Sequence, residues 1–368
     1  MKVFVLRFLC MAGLLLSSAS AWSTYAADSL SATPARPDGQ PRPGFFRRVV
    51  AYVGELDTLY VEPNRYNLAF MLENSNWYET YTFRSTGTSI PQKLRLAPDM
   101  NYRLGVYFGW RWIFVGYSVD LRHLFGKKSQ SDGRTEFSLS LYSSVAGCDI
   151  FYRKSGNHFS LRNAEDFRPK GFTGKLPNEV TGLNADIAGL SAYWVHNHRR
   201  FSYPAAYSQS TNQRRSAGSL LVGFTFSKHK MSFDYHGLPD YVQEQLDDRL
   251  KFIQIDYTSY CLNAGYAYNW VFARNCLFNL SLAPGIAYKR SISDSEYQSK
   301  SVLRKINFDL VTRTGITWNN NHYYVGASLV MNTFGYRSSA FSISNSFGTL
   351  RIYAGFNFWK KKEYRNKP

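Results

Sequence analysis

Residues 193–219, YWVHNHRRFSYPAAYSQSTNQRRSAGS, form the richest chemical stretch of the chain. Arg199, Arg200, Arg214 and Arg215 lie close together in it. A guanidinium offers two parallel N–H donors that match the oxygens of a phosphate or carboxylate. The four arginines therefore read as an anion or lipid-headgroup site; the competing reading is a basic turn that anchors the chain at an interface. His196 and His198, two residues apart, fall on one face of an extended strand, but no third metal ligand accompanies them. In NHFSLRN, His158 and Ser160 also stand close. A nucleophilic serine needs a base oriented by a third group. The chain contains neither a G-x-S-x-G elbow nor a phosphate-binding loop. These residues give no catalytic set, no metal site and no cofactor motif, so the expectation is a protein that is not an enzyme.

The elements that must position these residues read as strands. In NYRLGVYFGWRWIFVGYSVDLR, residues 101–122, Tyr102, Leu104, Val106, Phe108 and Trp110 share one parity. Asn101, Arg103, Gly105, Tyr107 and Gly109 take the other. Period two is the strand signature. Ten residues at a tilt near 45° cross roughly one bilayer. The same two-faced pattern recurs in EFSLSLYS, in NCLFNLSLAPGIAYKR and in TLRIYAGFNFWK. Strand candidates are 48–61, 66–74, 76–85, 101–110, 111–122, 134–143, 145–154, 184–198, 213–227, 257–273, 275–290, 302–318, 322–335 and 347–359.

Connections near 75, 110, 144, 274 and 320 are short, and those at 86–100, 123–133, 155–183, 228–256, 291–301 and 336–346 are long. Only 199–212 fits this alternation loosely. Tight turns on one side and long loops on the other are the habit of outer-membrane barrels. The predicted fold is all-β: a closed antiparallel transmembrane β-barrel of about 14 strands, with short periplasmic turns and long outer loops. Twelve strands is the alternative if 48–61 or a weaker segment is lost. Closure follows because every backbone N–H and C=O in hydrocarbon needs a partner within the protein. The polar parity then lines the lumen, where Arg103, Asp120, Glu136, Asp149, Asp309, Arg313 and Arg351 can pair. In the long connection 228–256, Leu238, Val242, Leu246 and Leu250 fall on one helical face; a solvated loop helix is expected there, with a loop lid as the alternative.

Composition agrees. The mean hydropathy is negative, yet 17% of the 368 residues are aromatic, 27 Tyr and 27 Phe among them. No apolar run beyond the N-terminus approaches the 18 residues or so of a membrane helix. MKVFVLRFLCMAGLLLSSASA has a basic start, an apolar run and an A-x-A ending, as in a cleavable secretory signal peptide spanning 1–21, with a second cut site after Ala26. Residues 22–47, rich in Pro, Arg and Gly, read as a periplasmic linker; 48–359 as the barrel; and 360–368 as a basic C-terminal tail. Cys148 is expected to face lipid, and Cys261 and Cys276 to be strand residues, with a bridge between these two left open. The formal charge is +18, or +16 once Lys2 and Arg7 leave with the signal. In a secreted chain this points to outer-membrane lipid and lipopolysaccharide rather than nucleic acid.

NRYNLAF, NHRRFSYPAAYSQSTNQRRSAGSLLVGF and the closing GTLRIYAGFNFW carry a family resemblance. Through them the chain resembles uncharacterised secreted proteins of Bacteroides-type bacteria, grouped as a domain of unknown function, over roughly residues 45–359. The resemblance implies outer-membrane association and transfers no catalytic residue. The last strand, with Tyr353, Gly355 and Phe358, is similar to a signal for the barrel assembly machinery, although it continues into KKKEYRNKP. The functional expectation is a Gram-negative outer-membrane barrel acting as a passive pore or a surface-exposed structural protein. The alternatives are an outer-membrane lipid-modifying enzyme and a soluble secreted β-sandwich that binds glycans.

Overall fold

A computed structural model describes residues 55–85, 92–98, 101–110, 113–120, 135–156, 159–163, 181–251, 254–291, 306–338 and 341–365. The signal peptide, the linker, the start of the 48–61 segment and His158 lie outside the described residues, as do the side chains of Asp120 and Glu136. From Thr58 onward the chain forms one unit. Its strands are β1 (Val61–Pro63), β2 (Tyr66–Ser85), β3 (Lys93–Ala97), β4 (Asn101–Trp110), β5 (Ile113–Asp120), β6 (Thr135–Tyr142), β7 (Ala146–Lys154), β8 (Ser160–Asn163), β9 (Leu183–Val195), β10 (Thr211–Gln213), β11 (Ala217–Phe233), β12 (Gln254–Ala273), β13 (Cys276–Ser291), β14 (Ile306–Asn319), β15 (Tyr323–Arg337) and β16 (Phe341–Lys360).

The fold is all-β. Twelve strands form one continuous antiparallel path, β5–β4–β2–β16–β15–β14–β13–β12–β11–β9–β7–β6, with β3 added to β2 and β8 to β3. Two expectations are corrected. Segments 66–74 and 76–85 are a single strand, paired with β16 from Tyr66 to Ser85 without a turn at Ser75. Asn74, Ser75 and Asn76 are turn-forming types, but here the ladder holds them extended, and the Asn74 side chain donates to the Arg103 carbonyl at 3.2 Å. Of 48–61, the described part contributes only Val61, in a short strand paired with β10 and not with the large sheet. Among the described residues the path holds twelve strands. The connection expected at 336–346 is also a tight one, because β15 and β16 run on to Arg337 and from Phe341.

Apart from the turn after Arg337, the short turns described gather at one end. Asn275 and Asn321 sit at φ 63 and 74°, a left-handed conformation that asparagine tolerates. The Asn320 carboxamide accepts from the backbone N–H groups of His322 and Tyr323 at 3.0 and 2.7 Å.

The outer face is apolar and uncovered. Phe308 is 76%, Leu262 67% and Ile286 61% exposed, where a soluble sheet would bury such side chains. Phe226, Tyr260 and Tyr288 stand in one row across β11, β12 and β13. Near the short-turn end Trp194, Trp270, Trp318, Tyr323 and Trp359 stand exposed. Leucine, isoleucine and valine occupy much of the interval. From Tyr260 to Trp270 is ten residues, about 33 Å along the strand and about 25 Å of height at the tilt usual for barrels.

The inner face is charged, and its pairs show how far the sheet curls. Arg313 on β14 donates to Asp149 on β7 at 2.5 Å. These strands are five places apart on the path, roughly 24 Å along a flat sheet. Arg153 on β7 reaches the backbone carbonyls of Tyr78 and Gly348, on β2 and β16, at 3.4 Å each. The sheet is therefore a single layer bent round its own charges, and not two stacked layers. Lys289 pairs with Asp309 at 2.8 Å, and Arg351 with Glu73 at 3.8 Å. Arg103 lies over the Trp77 ring at 4.3 Å.

Toward the long-connection end the inner parity turns apolar. Tyr81, Phe83, Leu94, Leu96, Leu183 and Phe233 belong to one buried cluster. Leu238, Val242, Leu246 and Leu250 point into it and are between 0 and 4% exposed. The expected solvated helix is thus a buried lid, made of short helical turns at Tyr235–Gly237, Asp240–Gln243 and Asp248–Leu250. Isolated from the sheet this amphipathic stretch reads as a surface helix; its apolar face instead finds the open end of the curl. Gly182, at φ +109°, lets the entering chain pass against the Asp234 backbone, where a Cβ would meet the carbonyl oxygen at 2.3 Å. Truncating a buried leucine costs about 2–5 kcal/mol. Leu246→Ala should therefore lower the stability of the detergent-solubilised protein to urea by that amount, whereas a solvated helix would lose less than about 0.5 kcal/mol.

Candidate functional site

The connection 196–216, between β9 and β11, folds back inside the short-turn end of the curl. Asn197 starts it, donating its backbone N–H to the Ser219 hydroxyl oxygen at 2.9 Å and its side-chain amide to the Gly218 carbonyl at 2.8 Å. A one-turn helix, α1 (Tyr203–Tyr207), follows. Pro204 suits its first turn, where no N–H is needed. All five residues of α1 are buried.

Polar side chains hold the insert against the wall. Tyr203 Oη meets Ser281 Oγ at 2.5 Å, and Tyr207 Oη donates to Asn279 Oδ1 at 2.6 Å. Gln209 lies at φ 56°, a conformation that costs a non-glycine residue about 1–2 kcal/mol. Four hydrogen bonds offset that cost. Gln209 Nε2 donates to Tyr353 Oη at 2.7 Å and to the Ala206 carbonyl at 3.3 Å. Its Oε1 accepts from Thr317 and Asn319 at 3.3 and 3.2 Å. Gln213 accepts from the Ser202 N–H at 3.0 Å and the Asn269 amide at 2.9 Å. Aromatic rings fill the remainder: Tyr203 lies 5.5 Å from Tyr193 and 5.1 Å from Phe201, and Tyr207 stacks on Tyr142 at 5.5 Å.

The structure separates the four predicted arginines into different tasks. Arg214 forms an ion pair with Glu62 and donates to Asn275 Oδ1 at 2.9 Å. Glu62 also takes Arg65 at 2.7 Å and the Asn321 amide at 2.9 Å. Arg200 and Arg215 lie over the Tyr60 ring at 5.0 and 5.9 Å. Arg199 is exposed. The pairing of β1 with β10 thus places three of the four around Tyr60 and Glu62. His196 and His198 lie in the turn after β9 and do not share a face: His196 is exposed beside Trp194, and His198 is 1% exposed. Among the described residues no cluster of three or more His, Cys, Asp or Glu could hold a metal ion.

Of the residues expected to face the lumen, Asp149 and Arg313 pair with each other, and Asp309 and Arg351 pair with other residues. Lys289, Glu73 and Arg153 were not foreseen, although Lys289 lies on the polar parity of β13. Glu62 carries no sequence signal, because it works through a three-residue strand. Ser160 is buried in β8. Ser227 Oγ and His229 Nε2 lie 2.9 Å apart, but both are fully enclosed, and no acid holds the other ring nitrogen among the described residues. Cys148, Cys261 and Cys276 are free thiols. Cys148 lies half-exposed on the outward parity of β7, and Cys261 is buried on the inward parity of β12.

A family model described as a domain of unknown function, DUF4421, matches residues 55–358, from just before β1 to the end of β16. The chain belongs to the DUF4421 family. The family unit therefore includes the inserted segment together with every strand that receives it. No curated protein matches the DUF4421 chain. Among solved structures it is similar to the outer membrane protease OmpT from Escherichia coli, at 8% identity and TM-score 0.34, over 81% of this chain and 98% of that one. It is also similar to the outer membrane protein OprG from Pseudomonas aeruginosa, at 9% identity and TM-score 0.24, over 81% and 98%. A third similarity is to the CymD monoaromatic hydrocarbon channel, at 9% identity and TM-score 0.26, over 80% and 89%.

Burial pushes the Tyr203 phenol up to about 12 and the Tyr207 phenol well above its ordinary value. A raised folded value means the stabilisation is whole below the unfolded value, about 10, and is lost as pH climbs toward 12. Absorbance at 295 nm should therefore show a late tyrosine fraction, and Tyr203→Phe should remove one equivalent of it.

Proposed function

We propose that this protein is an outer-membrane β-barrel with a lumen filled from both ends, acting as a surface-exposed structural protein rather than an open pore. The observation that carries the reading is the uncovered apolar band bounded by aromatic rows. Water makes such a surface costly, at about 25 cal/mol per Å², whereas lipid makes it favourable. The end strands β5 and β6 each have one partner in the path, and in hydrocarbon their free edges would pair and close the barrel. Short turns then face the periplasm and long connections the exterior. The arginines of the short-turn rim stand level with anionic headgroups, which attract such basic segments.

The filled lumen supports a structural role over a pore. The 196–216 insert occupies one end and the apolar lid the other. Between them lie cavities of about 30 Å³, beside Asp149, Arg153 and Arg351, and about 10 Å³, beside Arg313 and Asn263. Each of these two holds no more than about two waters.

Two measurements test this. In planar bilayers the purified protein should give no steady conductance, and Tyr203→Ala with Gln209→Ala should introduce openings by loosening the insert. Discrete steady conductance from the unaltered protein would contradict the filled lumen. Leu282→Arg, on the outward face, should cost about 2–4 kcal/mol in lipid, measured by urea unfolding in vesicles. Recovery of the protein in the soluble fraction without detergent would sink the membrane reading itself.

A further inference from the structure

We infer that the outward face near the long connections carries a docking site for the phosphate of a membrane lipid, built from Lys228 on β11, Thr258 on β12 and Arg290 on β13. The inference rests on the membrane reading above and adds a partner to it.

Register puts the three residues in one row. Lys228 pairs with Thr258, and Thr258 with Arg290. Neighbouring strands lie about 4.8 Å apart, so the two cations straddle the Thr258 position at about 10 Å. Both side chains are long enough to converge on an anion above it. Lys228 and Arg290 are exposed, and among the described residues neither makes an ion pair or side-chain hydrogen bond.

Height supplies the second argument. The row two residues below is Phe226, Tyr260 and Tyr288, the aromatic row at that edge of the apolar band. Amphipathic rings settle at headgroup level in a bilayer. The cations therefore stand one pleat, about 7 Å, beyond the rings and on the water side of them, at the depth of lipid phosphates, while acyl chains lie along Leu262 and Ile286 below.

Charge balance supplies the third. Two residues further out, Lys230 stands between Asp186 and Asp256 in register, so its charge is matched. Lys228 has Ala188 on its other side. On β11 and β12 the unmatched positive charge thus lies in the Thr258 row. Thr258 itself is buried between them, so the ammonium and the guanidinium supply the contacts, with charge-assisted bonds to the phosphate oxygens from both sides.

The test uses the full-length protein in neutral detergent, with three probes: lipid A, dephosphorylated lipid A and inorganic phosphate. Lipid A should bind saturably in native mass spectrometry, and Lys228→Glu with Arg290→Glu should weaken its apparent Kd about tenfold or more. Lys230→Ala should leave binding unchanged. Dephosphorylated lipid A binding equally well would overturn the phosphate assignment. Inorganic phosphate competing at the same concentration as lipid A would overturn the lipid assignment. Unweakened binding in the double variant would overturn the site. Heat-modifiable migration on a gel checks that each variant is folded, and Lys228→Gln with Arg290→Gln replaces the glutamate pair if that pair fails to fold. Failure of the membrane reading registers separately, as recovery of the protein without detergent.

Discussion

A strand with apolar residues on one parity and charges on the other has no comfortable flat form. Its charged face must find counter-charges without water, and its apolar face must find neighbours that do not compete for hydrogen bonds. The Asp149–Arg313 pair expresses the first demand, joining strands five places apart on the sheet. Burying an unpaired charge is far costlier than burying a matched pair. The curvature of the sheet is therefore a condition for having Arg313, Lys289, Arg351 and Arg153 inside at all. The uncovered outer face is the same condition seen from the other side.

Once the sheet is bent, its two open ends require different fillings. The short-turn end is filled by a segment that brings tyrosines, glutamines and asparagines to a wall of serine, asparagine and threonine. The long-connection end is filled by leucines against leucines and phenylalanines. The first filling is directional and the second is not. Hydrogen bonds fix the position of α1 to a single register, whereas the lid rests mainly on shape and apolar area, with Gln92 bonding the Gln245 carbonyl and the Asp247 N–H at its rim. This difference accounts for the concentration of specific residue types in 197–213, while the lid tolerates short irregular turns.

Much of this was legible in the residues. The outward and inward parities of β4, β6, β13 and β16 follow directly from alternation, because side-chain direction in a strand has period two. The inward parity of Asp149 and Arg313 follows for the same reason, whereas their pairing with each other depends on the curl of the sheet. The errors share another cause. Polar residues at 74–76 looked like a turn because turn propensity is local, while the ladder with β16 is set by residues far away in sequence. Leu238, Val242, Leu246 and Leu250 gave the right face but not its destination. The connection that fitted the loop alternation loosely, 199–212, was the one with a task inside the curl. Its misfit was the signal. Glu62 had none, since its partners Arg214 and Asn321 reach it only in the fold.

The adjacency of β2 and β16 carries a temporal consequence. These strands pair along their length although more than 250 residues separate them, so the first strand of the large sheet to be synthesised waits for the last. Until β16 emerges, one edge of β2 stays open, and such an edge recruits foreign strands. The free ends of the path, β5 and β6, instead belong to consecutive strands of the chain. The sheet therefore depends on a distant pairing that must be awaited, while its remaining ladders join strands nearer in sequence.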